Sequence, residues 1–474
     1  MQKLNDICCC ESKVNSETEF VGIRCEKSKE DGALETSIIF PLGYFKDDSA
    51  LRELPEEELR ECVVNLFTVL SDPSLQEQIH QDSSISTFAE EHGESEFPMV
   101  SYLNVIRNFL DFGYLDEKEI LYKKGANGKI NWGRTIKAVQ PVITEDAQNL
   151  VYLDFIARKV SYNEETLITQ VHKFCVHDAL VKLGFLFGID PSEEPLLDFD
   201  YDLFCNAIHS KLAKTFNDRD LRLLADLARI VEFLAGHKTE DGKIANEFYF
   251  GVKKFAPVWE AMVDKIFGKL PQGVAKDKFN PHCEWDLSSR ARGYENPNYA
   301  MRPDTIMWDE EGNRLYVLDA KYYKFGVTGS ASDLPSSGSI CKQIAYAEYV
   351  ETHWKTILGV DSIATPSASL QNDTQPKPIY NAFLLPYCFD ADNSQLPPDD
   401  GFETRPCKMR FIGFCHGNWK NLDARPGEVD YRPYHRIAGI LLDVRSVMEN
   451  YGASGEAQKT LATCILRENS NLSE

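Results

Sequence analysis

Apolar residues recur at helical spacing in two segments near the start of the chain. The segment LPEEELRECVVNLFTVLSD places Leu59, Val63, Leu66 and Leu70 at intervals of three and four residues, which predicts an amphipathic helix. SYLNVIRNFLDFGYL, beginning at Ser101, shows the same periodicity. We therefore expect two helices in this part of the chain.

Helical periodicity also dominates the middle of the chain, residues 148–238. LVYLDFIARKV, ETLITQVHKFCVHDALVKLGFLFG and DRDLRLLADLARIVEFLAG keep apolar residues at i, i+3 and i+4 and contain no interior proline. They predict a helical middle region. GVKKFAPVWEAMVDKIFGKL, residues 251–270, predicts a further helix with Pro257 in its first turn.

Shorter segments with strand character follow. RLYVLDAKYY, PIYNAFLLPY, KMRFIGFC and RIAGILLDV predict strands, and SICKQIAYAEYVETHW predicts a helix between the first two. Earlier, two short β segments flank the turn at 125–128 in EKEILYKKGANGKINWGRTIKAVQP, which predicts a β-hairpin or a loop. The order of elements predicts a mixed α/β fold.

The length of 474 residues predicts more than one domain. We divide the chain into an N-terminal α+β interaction region at 1–145, a helical middle region at 146–245 and a C-terminal α/β domain at 246–474. The acidic segment 51–100 carries 12 Asp and Glu residues against two arginines and reads most simply as a solvated face.

Charge limits how the chain could contact nucleic acid. It has 51 Lys and Arg against 74 Asp and Glu, a formal net charge of -23, which argues against tight non-specific attraction to the DNA backbone. The segment 123–137 differs from the rest of the chain because it contains basic residues and no acidic ones. It is either a solvated hairpin tip or an element that contacts a partner or DNA. Its basic residues are Lys123, Lys124, Lys129, Arg134 and Lys137.

The sequence predicts a cytoplasmic protein. It contains no apolar run long enough to span a bilayer, and MQKLNDICCC lacks the apolar stretch of a signal peptide. The 13 cysteines form no C-x-x-C pair, so we expect free thiols and a reducing compartment. GANGK is not followed by Ser or Thr, which excludes a complete phosphate-binding loop and argues against nucleotide hydrolysis by this chain.

Two acids and a lysine surround the predicted hairpin in MRPDTIMWDEEGNRLYVLDAKYYK. Side chains alternate along a strand, so Asp319 and Lys321 share a face. If TIMW pairs with RLYVL, Asp304 comes to the same end of the sheet. Such carboxylates could hold Mg²⁺, and Lys321 could orient or deprotonate a water and stabilise phosphate charge. Asp-Ala-Lys alone is more often an ordinary surface strand.

Two helices flank this hairpin and supply further candidates. Glu260, in VWEAMVDKIFG, could complete an acidic metal-binding cluster with the two aspartates. Gln343, in the helix after the hairpin, could contact a water or a phosphate. Both are weaker candidates than the hairpin residues, because their positions depend on how the helices pack against the sheet.

The combined motifs resemble a known group of nucleases. The pattern of PD at 303–304 and DAK at 319–321, with Glu260 upstream and Gln343 downstream, resembles the PD-(D/E)xK nuclease superfamily. VWEAMVDKIFG, MRPDTIMW, VLDAKYY, YNAFLLPY and GKINWGRTIK together resemble the LlaJI-type restriction endonuclease family, which is related to the McrC subunit of modification-dependent restriction systems. The similarity spans about residues 100–445.

The resemblance implies a C-terminal PD-(D/E)xK nuclease core and a type II-like, site-specific, Mg²⁺-dependent endonuclease of double-stranded DNA in anti-phage defence. It implies Asp304 and Asp319 as metal ligands, Lys321 as catalytic lysine, and Glu260 and Gln343 as the matching helix residues. It also implies a partner, a McrB-like AAA+ GTPase that recognises and delivers DNA, which would suit an acidic nuclease subunit. The predicted basic hairpin is our candidate contact for that motor.

The sequence is also compatible with two alternatives. One is a stand-alone nuclease of the same superfamily that acts in repair or in mobile-element processing. The other is a catalytically silent adaptor that only activates an AAA+ motor. Cleavage assays with and without a partner would separate them.

Overall fold

The computed structural model describes most of the chain. The described ranges are 4–11, 20–27, 34–75, 97–115, 117–125, 128–143, 150–163, 166–191, 193–237, 247–283, 301–358, 378–389, 407–425, 428–452 and 454–471. Part of the predicted acidic segment, 76–96, and part of the predicted turn, 126–127, lie outside the described residues.

Strands and helices alternate irregularly along these ranges. The strands are β1 Cys8–Cys10, β2 Val21–Lys27, β3 Leu34–Phe40, β4 Glu117–Lys124, β5 Lys129–Ile130, β6 Val142–Ile143, β7 Leu150–Val151, β8 Ile156–Asn163, β9 Phe248–Val252, β10 Thr305–Asp309, β11 Arg314–Ala320, β12 Ile379–Tyr387, β13 Met409–His416 and β14 Arg436–Asp443. The α-helices are α1 Leu4–Ile7, α2 Asp48–Glu53, α3 Glu56–Leu70, α4 Met99–Phe112, α5 Trp132–Ala138, α6 Leu167–Leu183, α7 Tyr201–Leu212, α8 Asp218–Gly236, α9 Ala256–Phe267, α10 Phe325–Thr328, α11 Ser337–Ile357, α12 Val444–Glu449 and α13 Gly455–Asn471.

The chain forms two compact units that do not follow sequence order. The helical unit consists mainly of residues 93–247, and the sheet unit combines 3–92 with 248–474. This grouping differs from the three consecutive regions that we inferred from the sequence. The reason is β9, which follows the helical unit in the chain and pairs with β2 near the N-terminus.

The larger sheet of the sheet unit has five strands in the order β10-β11-β12-β14-β13. Strands β11, β12 and β14 are parallel, and the outer strands β10 and β13 are antiparallel to their neighbours. Leu315 and Val317 on one face of β11 pack with Val350 and Trp354 of α11 in a single buried core. This packing fixes α11 against the strand that carries the predicted catalytic residues.

The smaller sheet of this unit has the order β1-β3-β2-β9. Gly22 of β2 lies opposite Gly251 of β9, and a Cβ atom at either position would come within 2.2 Å of a backbone carbonyl oxygen of the other strand. Only glycine allows such close backbone approach. This glycine pair thus allows β2 and β9 to pair, and their pairing connects the two parts of the sheet unit that are separate in the sequence.

The helical unit is built around α4, α6 and α8. Their facing side chains include two buried polar contacts: the hydroxyl of Ser101 donates to Asp226, and that of Tyr102 donates to Asp178. Buried polar groups need such partners because an unpaired one costs about 1–3 kcal/mol. A three-stranded sheet, in the order β4-β8-β5, belongs to the same unit.

Most predicted elements are confirmed. The two N-terminal helices are α3 and α4, and the later helices predicted in the middle and C-terminal parts include α6, α8, α9 and α11. Pro257 lies in the first turn of α9. The four predicted C-terminal strands correspond to β11, β12, β13 and β14.

Two predictions for the middle of the chain are wrong. LVYLDFIARKV was predicted as a helix, but it contains β7 and the start of β8. The predicted basic hairpin is not a hairpin, since β4 and β5 do not pair with each other and both pair with β8, which lies between them. Tertiary strand pairing outweighed the weak helical periodicity of this segment.

The described helices include none that is long and apolar enough to cross a membrane.

Candidate active site

The predicted pairing of TIMW with RLYVL is confirmed as the antiparallel pair β10 and β11. Thr305 lies opposite Leu318, so Asp304, directly before β10, comes beside the end of β11. Asp304 Oδ2 accepts a hydrogen bond from the backbone N–H of Ala320 at 3.0 Å. The pairing thus brings together two acids that are fifteen positions apart in the sequence.

Lys321 lies between the two carboxylates. Its Nζ is 2.8 Å from Asp319 Oδ2 and 3.9 Å from Asp304 Oδ2. Asp319 is buried, while the side chain of Lys321 keeps about a fifth of its surface exposed. The alternation of side chains along the strand accounts for the shared side of Asp319 and Lys321. One positive group therefore bridges two acids at a partly open edge of the sheet.

The charges in this cluster are strongly coupled. Burial raises the pKa of Asp304 well above its ordinary value, and the nearby charges of Asp319 and Glu260 raise it further. Burial by itself lowers the pKa of Lys321, but the charges of Asp319 and then Asp304 outweigh that effect and leave this pKa raised. Lys321 is thus held as an ammonium ion, which suits charge stabilisation better than proton abstraction.

Glu260 and Gln343 occupy different environments. Glu260 lies on α9, and its charge reaches Asp304 and Lys321 strongly enough to shift both pKa values. Gln343 is fully buried on α11, where its Nε2 donates to the carbonyl oxygen of Val317 at 2.7 Å. In this arrangement Gln343 ties α11 to β11, and its predicted contact with water or phosphate stays a prediction.

Two groups that sequence reasoning missed hold the backbone around Asp304. Lys276 Nζ donates to the carbonyl oxygen of Asp304 and also to Asp264 Oδ2 of α9, at 2.8 Å. The hydroxyl of Tyr346 donates to the carbonyl oxygen of Arg302 at 3.0 Å. Both contacts act on backbone atoms from distant segments, so no local sequence motif signals them.

The environment of Tyr346 shows that it belongs to the same charged cluster. Burial raises its pKa to about 12, and the charges of Asp319 and then Asp304 contribute. Its hydroxyl therefore stays protonated and can keep donating to the backbone before Asp304. Tyr346 lies one turn after Gln343 on α11, a helix face that the sequence did assign to the site.

Hydrogen bonds connect Tyr322, the residue after Lys321, to the N-terminal part of the sheet unit. The hydroxyl of Tyr322 donates to Glu11 Oε2. The backbone N–H of Leu42 donates to the same carboxylate at 3.1 Å and also to the oxygen of Tyr322. The segment after β11 is therefore anchored to residues that lie more than 270 positions earlier in the chain.

The donor set suits a hard divalent cation. Mg²⁺ commonly takes one or two protein carboxylates and keeps several waters, and Asp304 and Asp319 supply two. Burial, and after it the charge of Asp319, raises the pKa of Asp304, and a bound cation would offset both effects. Within the described ranges, however, no three His, Cys, Asp or Glu side chains are arranged to hold a metal ion. The match between this site and a divalent cation therefore depends on Asp304 and Asp319. Glu260 adds negative charge to the site.

The predicted basic segment is divided among three environments in the helical unit. Lys124 forms an ion pair with Asp154 at 2.7 Å. Lys123 lies opposite the buried Ala157, on the other side of the sheet from its neighbour at position 122. Lys137 is exposed in the last turn of α5. Lys129 and Arg134 are exposed and make no ion pair among the described residues.

Comparisons with known proteins define the class as restriction endonucleases. A protein-family model described as LlaJI restriction endonuclease matches residues 42–395, about three quarters of the chain. The chain therefore belongs to the LlaJI restriction endonuclease family.

Two further similarities were found. A component of the type II restriction enzyme BsuMI, YdjA of Bacillus subtilis (strain 168), is 25% identical over 248 residues, which are 50% of this chain and 51% of that protein. The chain thus spans about half the length of this curated relative. A chain of the solved assembly of Thermococcus gammatolerans McrB AAA+ hexamers with bound McrC is 12% identical, with a TM-score of 0.32, covering 95% of this chain and 82% of that one.

Proposed function

We propose that this chain is the nuclease subunit of an anti-phage restriction system and hydrolyses phosphodiester bonds of double-stranded DNA with Mg²⁺. The observation that carries the proposal is the convergence of Asp304, Asp319 and Lys321 at the start of β10 and the end of β11. Membership of a restriction endonuclease family supports the same reaction class. The arrangement agrees with a PD-(D/E)xK nuclease core.

The roles follow from the chemistry of each group. Asp304 and Asp319 would hold the cation, which when bound supplies Lewis acidity and a more acidic water. Lys321, as an ammonium ion, donates to a phosphate oxygen and stabilises the charge that develops there. Glu260 adds negative charge beside the pair, which favours cation binding. Lys276 and Tyr346 keep the backbone that carries Asp304 in position.

We further propose that the chain acts with a separate McrB-like AAA+ GTPase. The support is the resemblance of its motifs to McrC-related nucleases and the net charge of -23, which disfavours unaided DNA capture. A partner that binds DNA would remove that obstacle. The experiment is a plasmid cleavage assay with Mg²⁺, run with and without a McrB-like GTPase and GTP.

Three outcomes separate the alternatives. Cleavage that requires the GTPase supports the proposed subunit. Cleavage by the purified chain alone favours a stand-alone nuclease, and intact GTPase stimulation without any cleavage favours a silent activator.

The matched variants are Asp319→Ala and Asp309→Asn. Asp319→Ala should reduce cleavage at least about a thousandfold, because metal-ion stabilisation amounts to several kcal/mol. Asp309 pairs with Arg314 at the opposite end of β10, so its variant should cleave at the wild-type rate. Retained cleavage by Asp319→Ala would refute the metal-site assignment.

A further inference from the structure

The three-stranded sheet of the helical unit carries a row of residues that share one face. Tyr122 of β4 lies opposite Arg158 of the central strand β8, and Arg158 in turn lies opposite Lys129 of β5. Residues directly opposite each other in antiparallel strands point to the same side of the sheet. The row therefore places an aromatic ring and two cations side by side.

A third cation joins this row from α5. The guanidinium carbon of Arg134 lies 3.8 Å from the centroid of the Tyr122 ring, a close cation–π contact. All four side chains are exposed. We call this group, Tyr122, Lys129, Arg134 and Arg158, the cationic face.

Within the part of the chain that the structure describes, no acid pairs with the cations of the cationic face. Among the described residues, none of Lys129, Arg134 and Arg158 forms an ion pair. Lys124, two positions beyond Tyr122, does pair with Asp154, so an acid is present nearby but pairs with a residue outside the cationic face. Like charges directly opposite each other destabilise a sheet. The repulsion between Lys129 and Arg158 therefore destabilises the strand pair locally, and a bound anion would relieve this repulsion.

The backbone is adapted to this juxtaposition. Gly128, just before Lys129, has a φ of +126°, and a Cβ there would lie 2.6 Å from the carbonyl oxygen of Arg158. Any larger residue would push β5 away from β8. The glycine therefore permits the short strand β5 to approach closely enough to set Lys129 opposite Arg158.

We propose that the cationic face binds the phosphate backbone of duplex DNA, at a site separate from the residues assigned to cleavage. Arginine guanidinium groups match phosphate oxygens in paired hydrogen bonds, and lysine adds a point charge. In a chain with a net charge of -23, a polyanion can approach closely only where cations are locally unopposed. Phosphate contacts position a protein without reading sequence, so the face holds DNA and does not select the target.

The choice of DNA over an acidic protein partner rests on the proposed function, because a restriction nuclease must approach a polyanion. Binding is measured in EDTA by fluorescence anisotropy with a labelled duplex of about thirty base pairs, at several salt concentrations. Because EDTA prevents metal-dependent cleavage, the assay measures only DNA binding. It therefore tests the cationic face even if the proposed nuclease activity is wrong.

The test variant is the double substitution Lys129→Gln with Arg158→Gln in the full-length chain. It should lower affinity about tenfold or more at low salt and reduce the slope of log K against log salt by about two, since each lost phosphate contact contributes about 0.9. The control is Lys214→Gln with Arg222→Gln, which makes the same charge change at exposed positions of the helical unit outside the cationic face. The control should keep wild-type affinity and slope.

A thermal melt distinguishes lost binding from lost folding. Removing the like-charge pair should leave the midpoint unchanged or raise it, so weaker DNA binding by a stable variant supports the proposal. DNA affinity and salt slope equal to those of the control would overturn it. If the double variant instead binds DNA normally and loses GTPase stimulation of a McrB-like partner, the face contacts that protein and the proposal is likewise overturned.

Discussion

Asp304 and Ala320 are joined by a hydrogen bond in which the backbone N–H of Ala320 donates to Asp304 Oδ2 at 3.0 Å. The same carboxylate lies beside Asp319 and Lys321, so one side chain both fixes the strand pair and enters the charged cluster. These two roles can be separated experimentally, because an asparagine keeps an oxygen acceptor and loses the charge.

Asp304→Asn should therefore stabilise the protein while abolishing cleavage. The pKa of Asp304 is raised in the folded state, so its ionisation weakens folding as the pH rises above the unfolded pKa. Removing the charge should raise the melting temperature at pH 7 without metal by about 1–2 °C, since about 1 kcal/mol produces a smaller shift in a large unit such as 3–92 with 248–474. Thermal melts and the cleavage assay give both readouts.

The pH dependence provides the check on this explanation. Below about pH 4 the carboxyl group is protonated in both states, so the stability difference between Asp304→Asn and the wild type should shrink. Asp309→Asn, at the other end of β10, loses its ion pair with Arg314 and should show no gain in melting temperature. A melting temperature at pH 7 below that of the wild type would contradict the assigned cost of burying a charged carboxylate beside Asp319 and Glu260.

Lys276→Gln should weaken the response to Mg²⁺ without removing either proposed ligand. Lys276 donates to the carbonyl oxygen of Asp304 and to Asp264, so its loss frees the backbone that positions one carboxylate. Loss of such supporting contacts typically reduces metal affinity 10–100-fold. We expect the Mg²⁺ concentration for half-maximal cleavage to rise about tenfold, with a smaller change in the maximal rate.

The matched control for Lys276 lies in the same short 3₁₀ helix, Lys276–Phe279. Lys278 is exposed there, and Lys278→Gln makes the same chemical change at that surface. It should leave the Mg²⁺ dependence at the wild-type value. Equal Mg²⁺ responses for Lys276→Gln and the wild type would show that the contact with Asp304 does not position the ligand.

The parts of the site that the sequence predicted are those set by local geometry. Strand alternation placed Asp319 and Lys321 on one side, and the short turn between β10 and β11 brought Asp304 beside them. Lys276 and Tyr346 were missed because they act on carbonyl oxygens, which leave no trace in side-chain patterns. Their contribution depends on tertiary packing.

The same distinction explains the errors in the helical unit. The basic segment was predicted as a hairpin because the turn at 125–128 lies between two β segments. The partner of both, β8, begins at Ile156 and had been predicted as part of a helix. The helical pattern therefore did not place Arg158, which completes the cationic face, beside the basic segment. Strand order is a long-range property, and local periodicity cannot fix it.

Tyr322→Phe should loosen the segment that follows Lys321. The hydroxyl of Tyr322 donates to Glu11 and accepts from the N–H of Leu42, so its removal leaves two partly buried groups with one partner fewer. The free energy of unfolding of the sheet unit should fall by about 1–3 kcal/mol. Urea denaturation followed by fluorescence measures the change.

Tyr323→Phe is the neighbouring control for Tyr322. Tyr323 packs at the edge of an apolar cluster that includes Phe383 and Leu385, and its ring is kept in the variant. We expect its unfolding free energy to match that of the wild type. A Tyr322→Phe variant as stable as Tyr323→Phe would show that the link to Glu11 contributes nothing measurable.

His172 should make the helical unit sensitive to acid. Its ring is fully buried on α6, its Nδ1 accepts from the N–H of Leu115 at 3.0 Å, and burial lowers its pKa to about 4. The unfolded state binds a proton near pH 6.5 and the folded state does not, so stability is lost as the pH falls from about 6.5 to 4. This shift corresponds to about 3 kcal/mol.

His172→Gln removes the titrating ring and keeps an acceptor for the N–H of Leu115. The variant should therefore lose less stability than the wild type between pH 7 and pH 4, even if it is less stable at pH 7. His209 is exposed on α7, so His209→Gln should retain the wild-type pH dependence. Urea denaturation at each pH measures the three slopes. If the unfolding free energies of His172→Gln and the wild type fall equally steeply with pH, other groups cause the acid sensitivity. The buried neutral ring of His172 is its cause only if replacing the ring makes this fall less steep.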